Sequence, residues 1–378
     1  MNGLQYYGAH DIRYNTSIPI PKVTDPNDVV LKVAYCGICG TDLHEFEEPI
    51  FFANAATDQG DKISGKKLPL VLGHEFSGIV EEVGSNVKHL KRGDHAVIET
   101  TGHCSDRINY YKYNTELENE CQSCELGFEN TCKDLNFIGL GVDNGGLAQY
   151  AKYSSQHVLK VDKKIPLDVG ALIEPLSVVH HAIELSGFKA GEDALVLGAG
   201  PIGLAALLIL QAKGASKVVV SEPASIRRDQ AAKLGADVFN PAEFGNLATE
   251  ELKKLGSRKQ GFAKSFDCSG IQATYSTSIQ ALRAHGVACN VAIWPHKSVA
   301  HFVMDVTLEE KTSVGSLGYQ TKDFEGVIEL LESGKLEIEK AKALITGKHG
   351  LRDAVEKGFK ELIEHKDKHI KILISPDL

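Results

Sequence analysis

The sequence predicts an α/β protein in two parts, a β-rich domain and a doubly wound parallel sheet inserted into it. Three observations carry that expectation. Short β patterns punctuated by Gly, Pro and Asn fill the first 160 or so residues. From residue 166 or so, after VDKKIPLD, strands and helices alternate. Within that alternation a Gly-x-Gly-x-x-Gly turn joins a strand to a helix at 198–203. A chain of 378 residues is also long for one hydrophobic core, so two domains are expected.

In the first part VVLKVAYC (29–36), FSGIVEEVG (76–84) and DHAVIET (94–100) read as strands. In the second, DALVLG (193–198), KVVVSE (217–222), SFDCSG (265–270) and GVACNVAI (286–293) are near-continuous apolar strands. Helices are expected over 201–213, over SIRRDQAAKLG (225–235) and over 272–284. Strands apolar throughout fit a parallel sheet covered on both faces. After residue 318 or so come two amphipathic helical patterns and a last strand, HIKILIS (369–375). The expected divisions are 1–165, 166–317 and 318–378, the last returning to the first domain.

With 43% hydrophobic and 24% charged residues the composition is that of an ordinary globular protein. A net charge of -9 argues against a nucleic-acid or anionic-membrane partner, which calls for clustered Lys and Arg. The longest apolar stretch, PIGLAALLILQAKG (201–214), is too short to span a bilayer. MNGLQYYGAHDIRYN shows no basic stretch followed by an apolar run, so a cytoplasmic protein is expected. There the cysteines stay reduced, and clustered ones read as metal ligands.

A Gly-x-Gly-x-x-Gly alone is weak evidence, because glycine is common at turns. Here its context fits a dinucleotide site. Gly198 permits the tight turn, Gly200 lets backbone approach a pyrophosphate, and Gly203 allows close helix–sheet packing. The helix opening at Pro201 and Ile202 offers free N–H groups to phosphate, and Pro201 suits a first turn. Glu222 ends the next strand, where a carboxylate would bind the ribose 2′-hydroxyl and repel a 2′-phosphate, favouring NAD. A solvated charge at a strand end is the plainer reading of Glu222. Arg227 and Arg228 keep a reading with NADP open.

Upstream, CGICGTDLHEF (36–46) and LGHEFSGIVEEVG (72–84) gather Cys39, Thr41, Asp42, His44, His74 and Glu75. Cys121, Cys124 and Cys132 then form most of a tetrahedral zinc site, which needs four ligands. This order of motifs resembles the zinc-containing medium-chain dehydrogenase/reductase superfamily over essentially the whole chain. Within it, residues 44–76, FIGLGVDNGGLAQY (137–150) and ALIEPLSVVHHA (171–182) are most similar to the (R,R)-2,3-butanediol dehydrogenases. Glu47-Glu48 departs from that pattern, where an acidic residue and Gly more often precede the Pro.

The resemblance implies a GroES-like catalytic domain over 1–165, an NAD-binding Rossmann domain over 166–317, and two zinc ions per subunit. The catalytic zinc would be held by Cys39, His74 and Glu174, the last standing where classical alcohol dehydrogenases carry a cysteine. Glu75 would be either a group behind the ligands or an alternate ligand. Thr41 would take the alcohol proton and pass it through the cofactor ribose to His44, and Asp42 would orient a ligating imidazole. The implied substrates are a diol and its hydroxyketone, and relatives are homo-oligomers, dimers or tetramers. His180 and His181 read as packing residues, as do Cys268 and Cys289. Cys36 reads either as one more small buried residue or as half of a CxxC pair, and Trp294 either flanks the nicotinamide or simply packs.

For the second zinc the family spacing puts Glu118 where the first cysteine should stand. Either Glu118 ligates, or Cys104 does across an insertion of 14 residues, SDRINYYKYNTELENE minus the usual two. Cys104 is the favoured reading, since loop-closure cost rises only logarithmically with length. The rival functions are a polyol dehydrogenase acting on sorbitol or xylitol, a threonine dehydrogenase, and an idle NAD-binding relative of the quinone-reductase or crystallin kind. The last group typically lacks the Cys39 and His74 ligands.

Overall fold

In a computed structural model the chain forms two units. The structure describes all residues except 52–54, 117–120, 295–297, 302 and 366. Unit one comprises Met1–Glu174, Tyr319–Ile328 and Ile345–Leu378. Unit two comprises Pro175–Gly318 and Glu329–Leu344. The stretch after 318, expected to return as a whole, is therefore divided. Ile345–Gly350 and Lys371–Ser375 pair as neighbouring strands and stay with unit one.

Unit one is built on the strand Asp28–Gly37. Val29, Leu31 and Val33 alternate along it and are fully buried. It pairs antiparallel with Glu75–Val83, Tyr150–Ser154 and Lys371–Ser375, so segments far apart in sequence meet on one strand. Glu75–Val83 pairs in turn with His95–Ile98, and that strand with Val158–Val161. The strand expected over 94–100 stops at Ile98. Beyond it Glu99 N–H donates to His157 O at 2.9 Å, and Thr101–Gly102 leaves to pair with Asn136–Phe137.

The insertion after Cys104, expected as a surface excursion, is tied down at several points of its described part, 105–116. Arg107 is buried and donates to Asn114 O at 2.8 Å. Tyr110 OH donates to Asp28 Oδ1 at 2.7 Å, and Tyr113 OH to Gln59 O at 2.8 Å. Tyrosine side chains serve here as apolar bodies with a polar tip that finds a partner.

Unit two is a parallel sheet in the order Asp237–Phe239, Lys217–Ser221, Asp193–Leu197, Phe262–Asp267, Leu282–Asn290, Thr312–Gly315. That order, 3-2-1-4-5-6 along the chain, is the doubly wound one, with its switch point beside Leu197 and Asp267. The helix Pro201–Ala212 follows the first strand and buries Gly203 to Leu210 without a break. The helix expected over 272–284 ends at Gln280, because Ala281 O accepts from Phe262 N at 3.0 Å and Leu282 enters the sheet. The strand expected over 286–293 ends at Asn290, where Val291 and Ala292 N–H both turn to Asp267 O. Among the described residues no helix is long and apolar enough to cross a membrane.

Candidate active site

Cys39 stands at the N-cap of the helix Gly40–Glu47, and its N–H donates to Asp42 Oδ2 at 2.8 Å. Asp42 thereby caps the helix at one oxygen and faces His74 Nδ1 at 3.4 Å with the other. Neither of those two facing atoms has a hydrogen bond of good geometry. With Nδ1 turned to Asp42, His74 keeps Nε2 for a metal. His74 follows Gly73, whose φ of +100° suits glycine and where a Cβ would strike Cys36 Sγ. Donor atoms of Cys39, His74 and Glu75 lie within 4.8 Å of one another.

Glu75 is buried and doubly bonded. Lys371 Nζ, also buried, donates to both of its carboxylate oxygens at 2.6 Å and to Ile38 O at 3.2 Å. Glu174 lies outside the 4.8 Å group, at the start of the helix Ile173–Leu185, and shares a hydrogen bond with Tyr319. Tyr319 OH in turn meets Thr100 Oγ1 at 2.6 Å. Thr41 Oγ1 is 3.7 Å from Cys39 Sγ and half-buried, while His44 is exposed on the same helix.

This cluster is short of positive charge. Burial raises the Glu174 carboxyl to about 7 against the pull of His74, with Glu75 adding to the rise. Burial would lower His74, yet Asp42 and then Cys39 push it well above the usual imidazole range. Lys371 is taken up by Glu75, so a divalent cation on the remaining thiol, imidazole and carboxylate donors fits. Thiolate, imidazole and carboxylate are zinc's usual donor types.

The second cluster brings together Cys104, Cys121, Cys124 and Cys132, all within 4.8 Å. Glu118 lies outside the described residues. Backbone N–H groups of Cys104 and Asp134 point at Cys132 Sγ, each at 3.4 Å, and that of Cys121 at Cys104 Sγ at 3.3 Å. Burial pushes the Cys124 and Cys132 thiols up, while backbone N–H groups draw Cys121 down to about 6 against its burial. Four thiols so close cannot all ionise without a cation, and four sulfur donors suit zinc in a closed site.

In unit two Gly198 has φ +100°, and a Cβ on Gly203 would strike Gly198 O. A Cβ on Gly200 would meet open space, which leaves the helix N-terminus at Pro201 and Ile202 open to a phosphate. Glu222 is buried, not solvated: it accepts from Ala199 N at 2.8 Å and Ala224 N at 2.9 Å. Each of its oxygens keeps a lone pair for a ribose hydroxyl. Arg228 is tied to Glu222 O and Pro223 O; Arg227 is half-buried beside it in the chain.

His180, His181 and Cys289 are buried, Cys268 is half-buried and Cys36 is fully buried. Trp294 donates to Asn290 Oδ1 at 2.7 Å and packs edge-on to Tyr275. Lys371, Tyr319 and Thr100 escaped sequence reasoning. Only Lys371 left a signal, a cation at an otherwise apolar position of HIKILIS.

Two family models match the chain: an alcohol dehydrogenase GroES-like domain over residues 25–163 and a zinc-binding dehydrogenase over 201–333. A Saccharomyces cerevisiae protein described as (R,R)-butanediol dehydrogenase is 46% identical over all of this chain and 98% of its own length. The chain belongs to the zinc-containing medium-chain dehydrogenase/reductase superfamily. The motif resemblance and the two-part fold expected from the sequence are thus borne out. A second S. cerevisiae relative, described as a probable diacetyl reductase, (R)-acetoin forming, is 41% identical over all of this chain and 90% of its own. The crystal structure of 2R,3R-butanediol dehydrogenase from Bacillus subtilis superposes with a TM-score of 0.86 at 31% identity, covering 99% of both chains.

The buried pair in unit one gives a prediction of stability. Lys371→Met leaves Glu75 buried without its cation and should cost about 3–5 kcal/mol in denaturant unfolding of the metal-free chain. Adding Glu75→Gln should recover most of that loss, since the uncompensated charge goes with it. Unchanged stability in the single variant would contradict the pairing.

Proposed function

We propose that the chain is a zinc- and NAD-dependent dehydrogenase of vicinal secondary diols. It oxidises (R,R)-2,3-butanediol to (R)-acetoin and runs the reverse reduction, with diacetyl as a further substrate. The observation that carries this reading is 46% identity over the full chain to a butanediol dehydrogenase, joined to a half-buried thiol beside a buried imidazole and carboxylate, a cluster of the right donors.

Zinc held by Cys39, His74 and a carboxylate would act as a Lewis acid that lowers the alcohol pKa, and NAD would accept the hydride. The chain's own groups do the rest. Asp42 holds the His74 ring in one orientation from 3.4 Å. Lys371 occupies both oxygens of Glu75, which leaves Glu174 as the carboxylate whose charge is free to respond to a metal. Thr41 takes the proton at Oγ1, and His44 on the exposed face of that helix releases it to solvent. The four-cysteine cluster holds a second, structural zinc with Cys104 as its first ligand, and it does no chemistry.

Arg228, bound to two backbone carbonyls, is withheld from a 2′-phosphate, and the buried Glu222 faces the glycine turn. Both favour NAD. Thr312–Gly315 is an edge strand, and exposed Val303, Met304 and Leu308 lie just before it, which supports a homo-oligomer, a dimer or tetramer. None of the eight cysteines is in a disulfide, which suits the cytoplasm.

Initial rates with NAD over the butanediol stereoisomers, acetoin, diacetyl, sorbitol, xylitol and threonine test the substrate. The highest kcat/KM among the alcohols is expected for (R,R)-2,3-butanediol; a higher value for sorbitol or xylitol would move the enzyme to the polyol group. For the cofactor, a 2′-phosphate beside Glu222 costs about 1–4 kcal/mol, roughly fivefold to several-hundredfold in preference. Glu222→Ser should weaken NAD and raise use of NADP; equal use of both by the unaltered enzyme would refute the assignment.

A further inference from the structure

Three ligands of the four-cysteine cluster come from one compact loop. Cys121, Cys124 and Cys132 are tied together by local turns such as Glu125 N to Cys121 O at 3.0 Å and Cys132 N to Glu129 O at 3.0 Å. Cys104 arrives from the far side of the insertion and needs an anchor of its own. That anchor is a buried chain of side chains the chemistry does not use.

Cys104 opens the single turn Cys104–Asp106. Asp106 closes that turn, its Oδ2 accepting from His103 N at 2.9 Å and lying 3.3 Å from His103 Nε2. Its other oxygen, Oδ1, is 2.9 Å from His157 Nε2 and also accepts from Gln156 Nε2. His157 Nδ1 is 2.8 Å from Glu99 Oε2, and Glu99 Oε1 accepts from Thr101 N at 2.8 Å. Asp106, His157 and Glu99 are 1%, 4% and 4% exposed. A ring that donates to a carboxylate at each nitrogen carries both protons, so a positive charge sits between two buried negative ones. Burial would lower the His157 pKa, but Asp106 foremost, and Glu99, hold it well above the usual range. Take the ring away and two buried carboxylates are left facing each other, one of them the cap of the Cys104 turn.

We propose that His157 is the positioning residue of the four-cysteine cluster: it locks the Cys104 turn, through Asp106, onto Glu99 at the end of the sheet, and so sets how firmly that cluster holds its metal. This rests on reading the cluster as a zinc site.

The test follows zinc release from the two-zinc holoenzyme to a colorimetric chelator, in the unaltered chain, His157→Phe, the milder His157→Gln, and Cys104→Ser. Cys104→Ser identifies the release phase of the four-cysteine zinc by losing it. In His157→Phe that phase should accelerate about 10–100-fold, the usual effect of removing a group behind the ligands. His157→Gln, which can keep one of the two bonds, should fall between and serves alone if His157→Phe does not fold. The release phase of the other zinc should stay within about twofold, a contrast that general loosening of the fold would not give. Unaltered release in the histidine variants, or equal acceleration of both phases, overturns the role of His157 while leaving the zinc site standing. Retention of both zincs by Cys104→Ser overturns the zinc reading and this inference with it.

Discussion

The constraint on which unit one depends is the balance of buried charge around Cys39 and His74. Three carboxylates, Asp42, Glu75 and Glu174, are buried in a β-rich interior beside the half-buried Cys39, and among the described residues Lys371 is the buried lysine bonded to one of them. Water cannot screen them there, so each must be neutralised by a neighbour, a proton or a metal. Glu75 is settled by Lys371, which the last strand delivers beside Ile38. Asp42 is settled in part by the helix it caps and by His74. What remains is a Glu174 that burial raises and a His74 held up by Asp42 and Cys39, two groups whose protons a dication would displace.

The topology follows from that need. Cys39 and Glu75 sit just after and opposite the end of the strand Asp28–Gly37, and Lys371–Ser375 pairs with that same end. One strand thus gathers a thiol, an imidazole, a carboxylate and a cation from segments more than 330 residues apart (371 minus 39 is 332). The four-cysteine cluster follows the opposite plan: three ligands are local, and the fourth is brought in by a buried imidazole between two carboxylates.

Much of this was legible in the sequence because the signals are local. Strand–helix alternation and the glycine turn give the parallel sheet, since apolar runs and positive-φ positions are properties of a few neighbouring residues. Cys104 could be named because it directly follows the strand where the family's first loop cysteine stands, and a longer loop costs little entropy. What stayed hidden was tertiary. Nothing in CSDRIN (104–109) announces that His157 lies across from Asp106, 51 residues on. Nor does a Tyr after a Gly-rich stretch announce that Tyr319 will meet Thr100. The overlong helix over 272–284 failed for the same reason. Leu282 suits a helix by propensity, and sheet pairing with Phe262 overrides it.

The charge balance can be measured by counting protons. If the chain is first given one zinc for its four-cysteine cluster and then titrated with zinc near pH 6, protons should leave the groups that were standing in for the metal at Cys39 and His74. Below about 7 Glu174 holds one of them. Calorimetry in buffers of different ionisation enthalpy should therefore find that Glu174→Gln releases about one proton fewer per zinc than the unaltered chain. Equal proton counts in the two would contradict a site whose charge is completed by a dication.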